Sequence, residues 1–245
     1  MRFPLLARLL LCCALACAPW LARAAQPAFQ DTMAQRVLAC TGCHGKEGRA
    51  GPDGYYPRIA GKPAAYLYNQ LLNFREGRRQ YAPMARLLEP LSDAYLMEIA
   101  QHFAGLQLPY PPPQAAAQPP ELLLRGRLLA QKGDAARELP ACAQCHGRTL
   151  TGMLPQVPGL LGLPRDYLNA QLGAWRTGQR RAHAPDCMAE IARKLTPEDL
   201  SAATGWLAAQ PVPRAARPLP APRKPTPGTP ATPACGSAPP PAERP

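Results

Sequence analysis

Two short clusters bring together residues that could do chemistry, CTGCHG at residues 40–45 and CAQCHG at residues 142–147. On a helix, the first cysteine, the cysteine three residues later and the histidine after it share one face. Two thiols and an imidazole on one face could hold a flat ligand. C-x-x-C-H is the attachment signature of c-type haem, in which both thiols bond to the porphyrin and the histidine ligates the iron. We therefore predict two covalently attached haem c groups, at Cys40, Cys43 and His44 and at Cys142, Cys145 and His146.

Other sites built from cysteine pairs fit the sequence less well. A zinc ribbon would not require a histidine after both pairs, and its pairs usually lie some fifteen to twenty residues apart rather than about a hundred. A thioredoxin-like pair would follow a strand, and strand patterns are almost absent. Nucleic-acid binding is disfavoured because the formal charge of +12 is spread thinly along the chain.

The two clusters open two copies of one pattern with a period of about a hundred residues. The order of features after each cluster is the same, which predicts duplication of a small domain. The matching pairs are Pro57 with Pro158, Tyr66 with Tyr167, Gln70 with Gln171, Gly77 with Gly178, and Met84 with Met188.

Composition divides the rest of the chain. Basic residues, an apolar run and the alanines before Gln26 predict a signal peptide over 1–24 and hence export, with lipid attachment at Cys17 as the alternative. The proline-rich stretch LPYPPPQAAAQPP predicts an extended connector, either a hinge or a strap. The expected domains are 25–107 and 121–210, joined by the linker 108–120 and followed by a proline-rich, disordered tail over 211–245.

Both copies have helical periodicity, so we predict an all-α fold. In the first copy, one face of a helix should be formed by Tyr66, Leu67, Gln70, Leu71 and Phe74. Ser92 should begin the last helix of that copy, which buries Tyr95, Leu96, Ile99 and Phe103. Thr196 should begin the corresponding helix of the second copy.

With these motifs the chain resembles the class I cytochromes c, and among them the two-haem cytochrome c4 type. The resemblance also rests on PRIAG and PGLLG, on YLYNQLLNFREGRR and YLNAQLGAWRTGQRR, and on a methionine before each last helix. It implies two tandem domains, each wrapped round one haem whose iron lies between histidine and methionine. It further implies that the carbonyls of Pro57 and Pro158 accept a hydrogen bond from the histidines. The implied iron ligands are His44 with Met84 and His146 with Met188.

The second copy departs from the repeat where YAPM becomes HAPDCM. His183 or Cys187 could replace Met188 as the iron ligand, or Cys187 could form a disulfide with Cys235 or stay a thiol. His102 is expected to pack rather than to ligate. Two interpretations stay open for four arginines, a solvated surface or contact with haem propionates: Arg78, Arg79, Arg180 and Arg181.

With both axial positions filled, the predicted function is single-electron transfer in the periplasm rather than catalysis. The expected partners are a quinol-oxidising complex or a dehydrogenase on one side and a terminal oxidase on the other. The alternatives are a dihaem peroxidase, which would keep one iron position open, and a cytochrome subunit of a dehydrogenase or oxidase complex. The basic tail could also associate with an anionic membrane surface.

Overall fold

A computed structural model describes residues 31–214, 216–220 and 234–239. The chain divides into two compact units, Met1–Arg36 and Val37–Pro245. In the first unit the described residues form helix α1, Met33–Arg36, and Arg36 pairs with Asp31 at 2.6 Å. The predicted signal peptide and the alternative lipid site at Cys17 lie outside the described residues.

The first copy of the repeat, called here the first lobe (residues 37–107), is helical. Pro63 precedes its longest amphipathic segment, and the Ser92 hydroxyl accepts a hydrogen bond from the Tyr95 N–H at 3.3 Å, as predicted for an N-cap. Its helices are α2 (Leu38–His44), α3 (Ala64–Arg75), α4 (Ala82–Leu88) and α5 (Asp93–Gly105), with a 3₁₀ turn at Lys46–Gly48.

Helices α3 and α5 pack together and form most of this lobe's core. The predicted stripe of α5 is largely confirmed, since Leu96, Ile99 and Phe103 are buried. On the predicted face of α3, Leu67 and Phe74 are buried, whereas Tyr66 and Gln70 are half-buried and bond the second lobe. The buried residues of α3 are Leu67, Tyr68, Leu72, Asn73 and Phe74.

The second copy, called here the second lobe (residues 121–210 with the N-terminal Pro120 of its first helix), repeats this plan. Its last helix begins with a capping box in which the Thr196 hydroxyl and the Asp199 carboxylate bond each other's backbone N–H, with Pro197 at the first helical position. Its elements are α6 (Pro120–Gln131), a 3₁₀ turn at Ala135–Arg137, α7 (Cys142–His146), the hairpin β1 (Gly152–Met153) and β2 (Val157–Pro158), α8 (Arg165–Arg176), α9 (Cys187–Lys194) and α10 (Pro197–Ala208).

Two contacts fix α6 against α10. Gly126 allows close approach, since a Cβ there would lie 2.1 Å from the carbonyl oxygen of Ala202. Asp199 is fully buried and accepts hydrogen bonds from Arg125 at 2.8 Å and Arg137 at 2.6 Å. Burial alone would raise the pKa of Asp199, but the bonds from Arg137, Thr196 and Arg125 outweigh it and lower that pKa.

The proline-rich connector is bonded to both lobes. The buried Arg58 guanidinium donates to the Leu108 carbonyl at 2.6 Å and the Pro109 carbonyl at 2.9 Å. Further on, the Gln114 N–H donates to the Ala208 carbonyl at 3.0 Å. Of the two predicted roles, hinge and strap, these bonds favour a strap.

Two described stretches of the predicted disordered tail make specific contacts. Leu219 exchanges backbone hydrogen bonds with the β1 region, donating to Gly152 O at 2.8 Å and accepting from Leu154 N at 2.8 Å. Ser237 accepts a hydrogen bond from the Asn69 amide at 2.8 Å. Disorder therefore does not describe these stretches, and most of the other tail positions lie outside the described residues.

The all-α architecture with two copies of one plan is confirmed, the single described hairpin being a small addition. Of the helices that the structure describes, none is long and apolar enough to cross a membrane.

Candidate functional site

Helices α2 and α7 place the two C-x-x-C-H clusters in equivalent positions. Each helix ends at the histidine of its cluster, and a glycine follows. Gly45 has φ of 75°, and a Cβ there would lie 2.2 Å from the Ala50 carbonyl oxygen, so the turn requires glycine. The four cluster cysteines are free of disulfides: Cys40, Cys43, Cys142 and Cys145.

Both histidine rings are fixed by a backbone carbonyl. Nδ1 of His44 lies 2.8 Å from the Pro57 oxygen, and Nδ1 of His146 lies 2.7 Å from the Pro158 oxygen. Because a carbonyl only accepts, Nδ1 carries the proton and Nε2 keeps its lone pair for a metal. The rings are 8% and 7% exposed, and burial lowers the pKa of both imidazoles despite the opposing effect of the carbonyls. Both are therefore suited to bind iron as neutral ligands.

The second lobe encloses a mostly apolar cavity of about 250 Å³. All four predicted site residues of this copy line it: Cys142, Cys145, His146 and Met188. Burial raises the pKa of the Cys142 thiol to about 11 and also raises that of Cys145. The structure thus brings together two thiols, an imidazole and a thioether round one cavity.

In the first lobe, three tyrosines link the start of α4 to the histidine. The Tyr81 hydroxyl lies 3.4 Å from that of Tyr56, and the Tyr56 ring packs edge-on against His44 with a centroid separation of 6.0 Å. Tyr55 packs on Tyr56 at 5.0 Å. Met84 lies on α4 three residues after Tyr81. This segment of the chain is therefore held beside the imidazole.

The residues that depart from the repeat have other bonds. Cys187 forms a disulfide with Cys235, so the hypothesis of a Cys187 thiolate ligand is wrong. His183 accepts a hydrogen bond from Arg78 at 2.9 Å through Nε2. His102 stacks edge-on with Phe103 at 5.2 Å, in line with a packing role. Three ligands were considered beside His146 for the second-lobe iron: Met188, His183 and Cys187. Cys187 and His183 have the bonds given above, which favours Met188.

Arg79 and Arg180 join the two lobes at equivalent backbone positions. They form an antiparallel β-bridge, flanked by Gln80 N–H to Gln179 O at 2.8 Å and Arg181 N–H to Arg78 O at 2.7 Å. Arg180 is only 5% exposed, so the interpretation as a solvated surface is wrong for it. We call this bridge and the side chains round it the interlobe contact.

The side chains of the interlobe contact follow the same near-twofold relation. Arg79 donates to the side-chain oxygen Oε1 of Gln171 at 2.6 Å, and Arg180 donates to Oε1 of Gln70 at 3.0 Å. Each guanidinium also lies over an aromatic ring of its own lobe, at 4.4 Å for Phe74 and 3.8 Å for Trp175. Residues paired by the sequence repeat therefore meet their own counterparts across the contact.

Sequence reasoning missed that the first lobe and the tail both contribute to the second-lobe cavity. The lining includes Lys62, Tyr66, Asn69, Gln70 and Asn73 of the first lobe and Cys235 and Gly236 of the tail. The one available signal was that the repeat places Lys62 opposite Leu163, a charged residue opposite an apolar one.

The residues fit haem c. Free thiols could form thioethers, a neutral imidazole presents one nitrogen, and a polarisable thioether lines the same apolar cavity. When bound, such a group would supply reversible one-electron chemistry, while the chain sets its ligands and surroundings.

Known proteins similar to this chain agree with that assignment. No protein-family model matches the chain. The thiosulfate dehydrogenase electron acceptor of Thiomonas intermedia (strain K12) is 35% identical over 191 residues, which cover 77% of this chain and 86% of the relative. Cytochrome c4 of Pseudomonas aeruginosa is 32% identical over 174 residues, covering 70% and 84%. The crystal structure of reduced recombinant cytochrome c4 from Pseudomonas stutzeri superposes with a TM-score of 0.63 at 28% identity, over 72% of this chain and 96% of that chain. The chain therefore belongs to the two-haem class I c-type cytochromes of the cytochrome c4 type, which are electron carriers.

Proposed function

We propose that this chain is a periplasmic carrier that takes single electrons from a dehydrogenase and delivers them to a terminal oxidase of a respiratory chain. It would hold two covalent haem c groups through the cysteines and histidines of its two clusters. The proposed iron ligands are His44 with Met84 and His146 with Met188.

The observation that carries the proposal is the equivalence of the two histidines. Their Nδ1 to carbonyl distances are 2.8 and 2.7 Å, both rings are buried, and both end a short helix before a glycine with positive φ. A peroxidase needs one iron that differs from the other and opens to substrate. In HAPDCM, the segment in which the second copy departs from the repeat, the Cys187 thiol is taken up by the disulfide with Cys235, which supports two sites with the same ligands instead.

The donor we propose is a thiosulfate dehydrogenase or a similar dehydrogenase. The Thiomonas relative is named as the electron acceptor of such an enzyme, and it aligns with 77% of this chain. A quinol-oxidising complex is the alternative donor. Export to the periplasm rests on the predicted signal peptide over 1–24.

The carrier proposal is tested by the absorption spectrum of the oxidised, haem-loaded protein. The weak sulfur-to-iron charge-transfer band should have the intensity of two methionine-ligated irons per chain. Reduced protein should not bind carbon monoxide, because both axial positions are filled. A band of half that intensity together with carbon monoxide binding would identify one open iron and contradict the proposal.

The choice of donor is tested separately by stopped-flow spectroscopy. A catalytic amount of purified thiosulfate dehydrogenase, supplied with thiosulfate, should reduce both haems, whereas thiosulfate alone should not. Dithionite reduction provides the control for competent haems. If dithionite reduces the protein fully and the dehydrogenase does not, the donor assignment is wrong while the carrier function stands.

A further inference from the structure

Lys62 is a buried cation whose ammonium has no partner in the part of the chain that the structure describes. It lies just before α3 in the first lobe, is 7% exposed, and makes no hydrogen bond or ion pair with any described residue. A buried ammonium without an anion costs several kcal/mol relative to water. Some anion should therefore compensate it in the working protein.

Further cations act on Lys62 and on its neighbour Tyr66. Burial lowers the pKa of Lys62, and the positive charge of Arg58 lowers it further, while Tyr66 acts in the opposite sense. Tyr66 in turn lies in the field of Arg180, Arg79 and Lys62. Several positive charges thus converge at the interlobe contact, where an acidic ligand would be held strongly.

The position of Lys62 indicates which acid would bind. Its side chain belongs to the first lobe, but it lines the cavity of the second lobe together with Cys142, Cys145 and His146. The group proposed to fill this cavity carries two carboxylates on its porphyrin edge.

We propose that Lys62 binds a propionate of the haem held by Cys142, Cys145 and His146, so that the first lobe completes the cofactor site of the second. The inference rests on the proposed two-haem function and deepens it. Lys62 is a positioning residue, and it acts on a carboxylate rather than on the iron.

The same contact would make the two haems unequal. The repeat places Leu163 where the first lobe has Lys62, so the reciprocal site, a second-lobe lysine reaching into the first lobe, is missing. A nearby cation favours the reduced, less positive haem over the oxidised one. Lys62 would therefore raise the midpoint potential of the second-lobe haem selectively.

The test uses the full haem-loaded protein and three variants. Lys62→Met removes the charge and keeps the apolar stem, Lys62→Arg retains the charge, and Lys132→Met removes an exposed lysine of the second lobe as the matched control. Spectroelectrochemistry measures both midpoints, a pyridine haemochrome assay counts the haems, and resonance Raman spectroscopy reports hydrogen bonding of the propionates.

Lys62→Met should still attach two haems. Its second-lobe haem should be about tenfold harder to reduce, which for a one-electron couple is a fall of ~59 mV in the midpoint potential. Its propionate bands should shift as well. Lys62→Arg should restore both readouts, and Lys132→Met should change neither.

Unchanged midpoints and propionate bands in Lys62→Met would overturn the inference, as would equal shifts in both haems. If Lys62→Met does not load haem, a crystal structure of the loaded wild-type protein decides, with Lys62 Nζ within hydrogen-bond distance of the second-lobe propionate expected. Lys62 on the first-lobe haem, or away from both, would refute it. Failure of the wild-type chain to bind two haems would instead refute the proposed function.

Discussion

The disulfide between Cys187 and Cys235 should contribute strongly to the stability of the second lobe. The two cysteines are separated by 48 residues in sequence. In the chain-entropy treatment, closing a loop of that length in the unfolded state stabilises the folded protein by about 4 kcal/mol. The double substitution Cys187→Ser with Cys235→Ser should therefore lower the free energy of unfolding by about that amount, without changing the number of attached haems.

Urea unfolding of the haem-loaded protein, followed by tryptophan fluorescence, measures this effect. Trp175 and Trp206 both lie in the second lobe, and the remaining tryptophan, Trp20, falls within the predicted signal peptide. The fluorescence change therefore reports on the lobe that carries the disulfide.

Two controls separate the cross-link from the docking of the tail. Wild-type protein in which the disulfide is kept reduced should unfold like the double variant. Ser237→Ala removes the hydrogen bond from Asn69 at 2.8 Å and a longer one to the Ala238 carbonyl at 3.4 Å, and should cost about 1 kcal/mol. If the free energy of unfolding of the double variant falls by less than about 1 kcal/mol, the loss is no larger than that expected for one hydrogen bond. This result would refute the loop-entropy argument.

Three further substitutions test the packing of the lobes. Asp199→Asn should destabilise the protein by about 3 kcal/mol at neutral pH, measured by urea unfolding, because it weakens the charge-assisted hydrogen bonds that two partly exposed arginines donate to a fully buried carboxylate. Since the pKa of Asp199 is lowered on folding, its contribution is complete above the ordinary carboxyl pKa and is lost as the pH falls through the folded value, so the variant's stability should depend less on acid pH. Gly126→Val should lower the melting temperature, because its side chain would overlap the Ala202 carbonyl, whereas Gly173→Ala, with nothing within 4 Å, should not. Arg180→Gln should loosen the interlobe contact, so that calorimetry resolves two transitions instead of one.

The local part of each site could be predicted from the sequence. The spacing within a cluster sets the helical face, and the carbonyls of Pro57 and Pro158 lie within hydrogen-bond distance of the histidines as the family resemblance implied. Capping by Ser92 and Thr196 was likewise predictable, because it depends on neighbouring backbone groups.

Features that depend on contact between distant segments could not be predicted. Tyr66 and Gln70 share a helical face with core residues, but they bond the second lobe, and helical periodicity alone does not indicate such a contact. From sequence alone, a lysine in a loop such as Lys62 is expected to be solvated, but here it is buried. The partner of Cys187 was one of several alternatives, since sequence alone does not determine disulfide pairing.

The near-twofold interlobe contact has the form of an isologous dimer interface. Arg79 meets Arg180, and the two glutamines exchange partners, as in a homodimer whose subunits use the same patch. Two identical one-haem chains could associate through such a patch, and a covalent connector replaces their encounter by a high effective concentration. A homodimer must carry every residue twice, whereas a fused chain need not. Lys62 opposite Leu163, and Cys187 in a segment that the first copy lacks, are differences that only the fused form permits.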